Sequence, residues 1–391
     1  MLLIQNGYIK TITHGDIPRG DILIEGGKIL AVGSVSVDES LPVRVLNAEG
    51  LLVTPGLVDG HSHVGLDEAG VRFEGMDYNE MVDPVTPHMR GIDGIKAADE
   101  NLQEAPSGGV TAAAVGPGSA NVVGGTFSVI KLHGTTVEDM VLRQDVAMKA
   151  AFGENPKFCY GQGGKAPMTR MGIAALLREL LFKAQEYDRL KKLGEGDPSK
   201  LPKFDMKLEA MLPVIRGEMP LKCHAHQVDD ICTAIRIAKE FGLRYTLDHC
   251  TDGHLIAGRL AEEGAPVFIG PTLGSKSKHE VRNKTFDTPG ILYRAGVKVS
   301  IITDAPVVPE KYLALHTALA VRAGLPEEAG WEAITINPAQ VLGVDHRIGS
   351  LEEGKDADIV LFRGNPLREA DARAMYTLID GEIVYRDPMA V

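Results

Sequence analysis

The spacing of apolar positions along this chain changes character twice. From residue 1 to about 53 they fall in short runs, at 2–4, 7–12, 21–25, 29–32 and 44–46, with Asn6-Gly7 and Gly26-Gly27 as hairpin punctuation. No run at helical spacing occurs there. The other end repeats this character, with strands expected at 359–362, 374–379 and 382–385 and a turn at Asp380-Gly381. Short isolated sheets lack a partner face and are unstable. The two ends are therefore expected to build one small β-sandwich domain, residues 1–53 with 346–391.

Between them, over residues 54–345, strand and helix patterns alternate. Residues 221–223 form an apolar run ending at His224, followed by a helix predicted over 229–241. There Ile231, Ala234, Ile235, Ala238 and Phe241 share a face and Gly242 stands as the C-terminal cap. The unit then repeats. A strand over 244–248 ends at His249, a short helix carrying Leu255, Ile256 and Leu260 closes at Gly264, and strands follow at 266–270 and 297–303, the last ending at Asp304. Ligand-type residues just past the ends of parallel strands describe half of a (β/α)8 TIM barrel, an α/β fold whose reactive groups gather at the C-terminal face. The first half is less regular, with strands expected at 111–115, 127–132 and 146–152 and a long helix over 172–192. Two Gly-rich loops, 65–94 and 153–172, are expected to lie over the rim.

Composition narrows the function. The chain has 391 residues, 44% hydrophobic and 24% charged, which is ordinary globular usage. A net charge of −12 argues against a nucleic-acid partner, which needs a basic face. Cys159, Cys223, Cys232 and Cys250 form no CxxC pair, and no apolar run approaches the length of a membrane span. The expectation is a cytoplasmic protein acting on a small molecule, assembled with copies of itself, and bound to neither membrane nor nucleic acid.

The richest stretch is residues 53–63, an apolar run that ends in two histidines spaced i, i+2. On an extended strand His61 and His63 face the same side and can aim both imidazoles at one ion, with zinc the expected cofactor as one or two divalent ions. Gly60 leaves room for close packing just before them. A strand-end carboxylate such as Asp304 can accept a proton from metal-activated water and return it to a leaving nitrogen. His226 lies two positions beyond His224 and is read equally as a ligand or as a contact to substrate. In the rim loops, Arg72, His88, Tyr160, Lys165 and Arg170 are candidates to bind substrate, an arginine being suited to grip a carboxylate.

The ordered set Pro-Gly-Leu-Val-Asp-Gly-His-Ser-His63, then His224, His249 and Asp304, flanked by β-rich termini, resembles the amidohydrolase superfamily. The segments Asp83 to His88, Phe152 to Lys157 and His224-Ala-His226 are similar to its imidazolonepropionase-like and prolidase-like branch. The resemblance implies that His61 and His63 hold the more buried metal with Asp304, and that His224 and His249 hold a second metal or the reacting carbonyl. It also implies an anionic bridge near strands 3 and 4. Lys149, carboxylated, is preferred for that bridge, and Glu154 is the alternative. Relatives often carry His after the strand-8 aspartate, where this chain has Ala305. The implied activity is metal-dependent hydrolysis of a C–N bond in an amide, peptide or cyclic amide. A deaminase or lactonase with the same site, or an inactive barrel scaffold, stands as the alternative.

Overall fold

Residues 1–38 and 40–390 are described by the computed structural model. At the N-terminus the short apolar runs become β1 (Leu2–Lys10), β2 (Asp16–Glu25), β3 (Lys28–Gly33), β4 (Arg44–Asn47) and β5 (Leu52–Pro55). The chain then turns at Gly56, where a Cβ would lie 2.0 Å from the Thr111 hydroxyl, and enters a second sheet. That sheet runs through β6 (Leu57–Ser62), β7 (Val110–Val115), β8 (Val123–Lys131), β9 (Val141–Ala151), β10 (Leu221–Ala225), β11 (Tyr245–His249), β12 (Val267–Ile269) and β13 (Val299–Ile301), each paired with the next. The chain returns to the first sheet as β14 (Ile359–Arg363), β15 (Arg373–Ile379) and β16 (Glu382–Arg386).

Both termini thus contribute to one terminal sheet, with the order β16-β15-β14-β5-β1-β2-β3 and β4 beside β1. Hydrogen bonds join all eight strands into a single sheet, where one small β-sandwich was expected. The second sheet is a nearly closed eight-stranded barrel. Its ends meet where the Asp304 N–H donates to the His61 carbonyl at 3.3 Å and the His63 N–H donates to the Ala305 carbonyl at 2.8 Å.

One part of the barrel departs from the (β/α)8 expectation. Strand β8 is antiparallel to both β7 and β9, because the connections 116–122 and 132–140 are too short for a helical crossover. From β9 to β13 every pairing is parallel, as the repeated strand and helix pattern predicts. The helix Val228–Phe241 ends at Gly242 in the left-handed conformation, φ +65°, and buries the stripe read from its sequence. The helix Arg170–Leu193 is capped by the Thr169 hydroxyl, which accepts from the Gly172 N–H. The second rim loop is not structureless, since Glu154–Gly161 is helical with Pro156 in the first turn, where its missing N–H costs nothing.

Inside the barrel, Gly60 faces the Phe268 ring so closely that a Cβ would lie 2.1 Å from it. Polar groups fill the rest of the interior on the site side, and Lys149, Lys222, Asp59 and Asp248 are all fully buried.

A buried ion cluster joins barrel and terminal sheet. The Lys131 ammonium, at the end of β8, lies 2.7 Å from Asp356, 3.0 Å from Asp358 and 2.5 Å from Asp380. Burial raises both interior carboxyls. For Asp356 that is outweighed by Arg347, Lys131 and Lys28, which hold it at about 2, whereas Asp358 stays up at about 6. Replacing Lys131 by Met strands these carboxylates and is expected to cost about 3–5 kcal/mol near pH 8. Without the cation both folded-state pKa values rise. As the pH falls from 8 to 5 the raised carboxyls of the variant take up protons that the native protein does not yet bind, so the deficit shrinks at pH 5. Urea unfolding of both proteins at the two pH values checks this, and equal deficits would contradict it.

Candidate metal centre

Four histidines and one aspartate converge at the C-terminal ends of the barrel strands. His61 and His63 come from the end of β6, His224 from β10, His249 from the end of β11, and Asp304 follows β13. The Asp304 Oδ1 atom lies 3.3 Å from both the His61 Nε2 and the His63 Nε2. Among the described residues, ligand atoms within 4.8 Å of one another form two groups, His61 with His249 and Asp304, and His224 with His226 and His249, and His63 joins through Asp304 alone. His249 belongs to both, so the two groups are contiguous.

The partners of each ring fix its orientation. The His63 Nδ1 faces the Gly116 carbonyl at 2.7 Å, and the His249 Nδ1 faces the Gly270 carbonyl at 2.7 Å. Each of these nitrogens must carry the proton and donate it, which leaves Nε2 as a lone pair toward the site. The His61 Nδ1 faces the Asp248 carboxylate at 2.7 Å with the same result. Burial, with the Lys149 ammonium adding to it, pulls the His61 imidazole down to about 3. Burial also holds His224 and His226 well below the usual histidine range. These rings are therefore neutral near pH 7.

Asp304 is ionised. Burial alone would raise its carboxyl, but His249, His61 and His63 outweigh that and hold it well below the ordinary value. Its Oδ1 is buried and accepts no hydrogen bond among the described residues. A buried carboxylate oxygen at 3.3 Å from two imidazole lone pairs is an arrangement that a cation satisfies, and the donor set of nitrogens and oxygen suits a divalent ion. The residues present fit a metal.

Sequence reasoning missed several supporting groups. Asp248 faces inward on β11, where its carboxylate meets both His61 and the Lys222 Nζ, 3.2 Å away. Burial would raise Asp248, yet Lys222 and His61 overcome this and keep it far below the usual range. Strand alternation explains the omission: Thr246 and Asp248 point inward, so His249 should point outward, but its left-handed φ of +67° turns the ring back into the site. Asp304 is likewise left-handed, at φ +54°. Glu280 is buried, 3.6 Å from the His226 Nε2 and 3.9 Å from the His224 Nε2, and it pairs with Lys278 at 2.5 Å. A His-rich strand signals none of these, because Glu280 arrives on a distant loop.

Of the two residues expected to compete as bridge, the structure brings Lys149 to the site. Its Nζ lies 3.2 Å from the His61 Nε2, and burial lowers it to about 8. Glu154 instead opens a helix, and its backbone N–H donates to Glu280 at 2.9 Å; its carboxylate is in neither ligand group.

Most of the rim residues expected to bind substrate lie elsewhere. A cavity of about 610 Å³ opens onto His63, His224, His226 and Asp304, and its wall includes Tyr78, Asn155 and Lys278. His226 lines it, and its Nδ1 meets the Thr251 hydroxyl at 2.8 Å. Arg72 and Lys165 are exposed and outside the cavity wall. His88 lines a separate groove beside Met206 and Pro213. The Tyr160 hydroxyl is buried and donates to Asn121 at 2.5 Å, and Arg170 is taken up by Asp230 at 2.9 Å and Gln227 at 2.8 Å. These two hold the loop and helix in place, so their polar groups are already spent.

The orienting role of Asp248 is testable. Asp248→Asn keeps the shape but weakens the acceptor that fixes His61, so affinity for a divalent ion, probed with added zinc, is expected to fall about 10- to 100-fold with the fold retained. Competition against a chelating dye, with circular dichroism as the control, measures this. Unchanged affinity would reduce Asp248 to a partner of Lys222 alone.

Comparison with known proteins agrees with this geometry. An amidohydrolase from Thermotoga maritima MSB8 superposes with a TM-score of 0.95 at 39% identity, over 99% of this chain and 100% of that one. Amidohydrolase tasK of Hapsidospora irregularis is 30% identical over 95% of this chain, which spans only 40% of the tasK length. An imidazolonepropionase of Erwinia tasmaniensis is 23% identical over 92% of this chain and 89% of its own length. The model of the Amidohydrolase family matches residues 52–385. With nearly the whole barrel and its returning strands inside that match, this chain belongs to the amidohydrolase family.

Proposed function

We propose that the protein is a metal-dependent hydrolase that cleaves a C–N bond of a small molecule. The observation that carries this reading is the unpartnered Asp304 Oδ1, 3.3 Å from two imidazole nitrogens at the edge of a 610 Å³ cavity. His61, His63 and Asp304 would hold one divalent ion, with zinc the preferred identity. His224 and His249 would hold a second, joined to the first by Lys149 after carboxylation. Ions held there supply Lewis acidity, which polarises an amide carbonyl and acidifies water.

The chain's own groups do the rest. Asp304 is ionised and borders the cavity, so it can take the proton of an attacking water and deliver it to the departing nitrogen. His226, with its Nε2 turned toward Glu280 and the cavity, is suited to contact the substrate. Buried Lys222 keeps Asp248 anionic, and through it His61 stays oriented.

Two variants test this reading against a panel of dipeptides, N-acyl amino acids and lactams with zinc supplied. His61→Ala should lose most of its bound zinc by elemental analysis while staying folded, and its turnover should disappear. Asp304→Asn, assayed at saturating zinc, should lower kcat about 10²- to 10⁴-fold, the range of a missing general base. Near-normal kcat in Asp304→Asn would remove the proton-transfer role, and unchanged zinc content in His61→Ala would remove the site assignment.

A further inference from the structure

One stretch of the cavity wall is cationic in an otherwise acidic chain. Between β12 and the next helix, residues 271–286 carry Lys276, Lys278, Arg282 and Lys284 against a single acid, Glu280, while the whole protein has a net charge of −12. Two of these lysines, Lys278 and Lys284, line the cavity that contains Asp304.

They differ in what they touch. Lys278 is committed, since its Nζ lies 2.5 Å from Glu280 and donates to the Asn155 side-chain oxygen at 2.7 Å. That pair also ties the rim helix Glu154–Gly161 to the loop. Lys284 is half-buried and donates only to the Ser275 carbonyl of its own loop, at 2.9 Å. No carboxylate lies within ion-pair distance of it among the described residues. Burial lowers its pKa, and the neighbouring charge that acts on it, Lys276, has the same sign and lowers it further.

A half-buried ammonium at the cavity wall, with no carboxylate paired to it among the described residues, is free to meet a negative charge that a ligand brings. The cavity is the size of a small molecule, and one uncommitted ammonium matches one negative charge, as in a carboxylate, better than the two of a phosphate monoester. We propose that Lys284 binds a carboxylate carried by the substrate, so that the bond cleaved is the amide of an N-acyl amino acid or an amide acid of similar size. This rests on the hydrolase reading above and adds its substrate class. The substrate then spans the cavity, with its carboxylate on the loop after β12 and its scissile amide toward Asp304 and the imidazoles. Water adds across the C–N bond, giving a carboxylic acid and an amine, and no other reactant is needed.

The test compares N-acetyl derivatives of glycine, alanine, proline, leucine and phenylalanine with their C-terminal amides, scoring acetate release by the zinc-supplied protein. For the native chain the ratio of kcat/KM, acid over amide, should be about ten- to a hundredfold for the best pair, the effect of one charge-assisted hydrogen bond. Lys284→Met should bring that ratio close to one, and Lys284→Arg should keep most of it. A native ratio near one, or a ratio retained in Lys284→Met, would overturn the proposal. If the native protein releases acetate from none of them, the hydrolase reading fails for this class, and binding decides the present proposal separately. Calorimetric dissociation constants tighter for acids than amides, in native protein but not in Lys284→Met, support it; equal binding of both, or binding of neither, overturns it.

Discussion

A carboxylate sealed inside a barrel must be neutralised, and around Asp248 this requirement organises the interior. Asp248 is wholly buried and meets the Lys222 ammonium on one side and the His61 ring on the other. Lys222 in turn lies 3.7 Å from the centre of the Phe268 ring, which packs onto Gly60. A side chain at position 60 would collide with the edge of that ring. One chain of contacts therefore runs from the aromatic filling of the barrel, through a buried ion pair, to the tautomer of a ring at the site. Breaking the pair on one side leaves an uncompensated charge, which costs more than the intact pair contributes.

The same logic governs the site above it. Three imidazole Nδ1–H groups are engaged by Asp248, Gly116 and Gly270, so the opposite nitrogens present lone pairs at the strand ends. Left-handed backbone at His249 and Asp304 is tolerated where the surrounding barrel holds it, and it is what turns the two groups inward. Barrel closure and site assembly coincide, because the hydrogen bonds that join β6 to the segment after β13 involve the backbone of His61, His63, Asp304 and Ala305. A change that loosens this seam displaces ligand groups as well as the fold.

Much of this was legible in the sequence where a single period dominates. The parallel half of the barrel announced itself through strand and helix units ending in His224, His249 and Asp304, and the stripe of the helix Val228–Phe241 was read residue by residue. The antiparallel strand β8 was harder, since its buried run looks the same in either direction and only short connections betray it. Lys149 could be anticipated as an interior lysine, whereas Asp248 was hidden by the alternation rule that the backbone at His249 breaks. Substrate contacts are illegible in the sequence for a different reason. Arg170 and Tyr160 carry suitable chemistry, but their partners Asp230 and Asn121 lie far off in sequence, and one-dimensional reading has no access to which polar groups are already taken. Among the described residues no helix is long and apolar enough to cross a membrane, in line with the absence of such a run in the sequence.

On this reading the converging lone pairs at the strand ends are a metal site. Crystals grown with zinc and measured on both sides of its absorption edge test this most directly. An anomalous peak is expected bonded to the His61 Nε2, the His63 Nε2 and an Asp304 carboxylate oxygen, with extra density on the Lys149 Nζ if a second ion is present. A peak at some other group of side chains, or none at these three under saturating zinc, would contradict it.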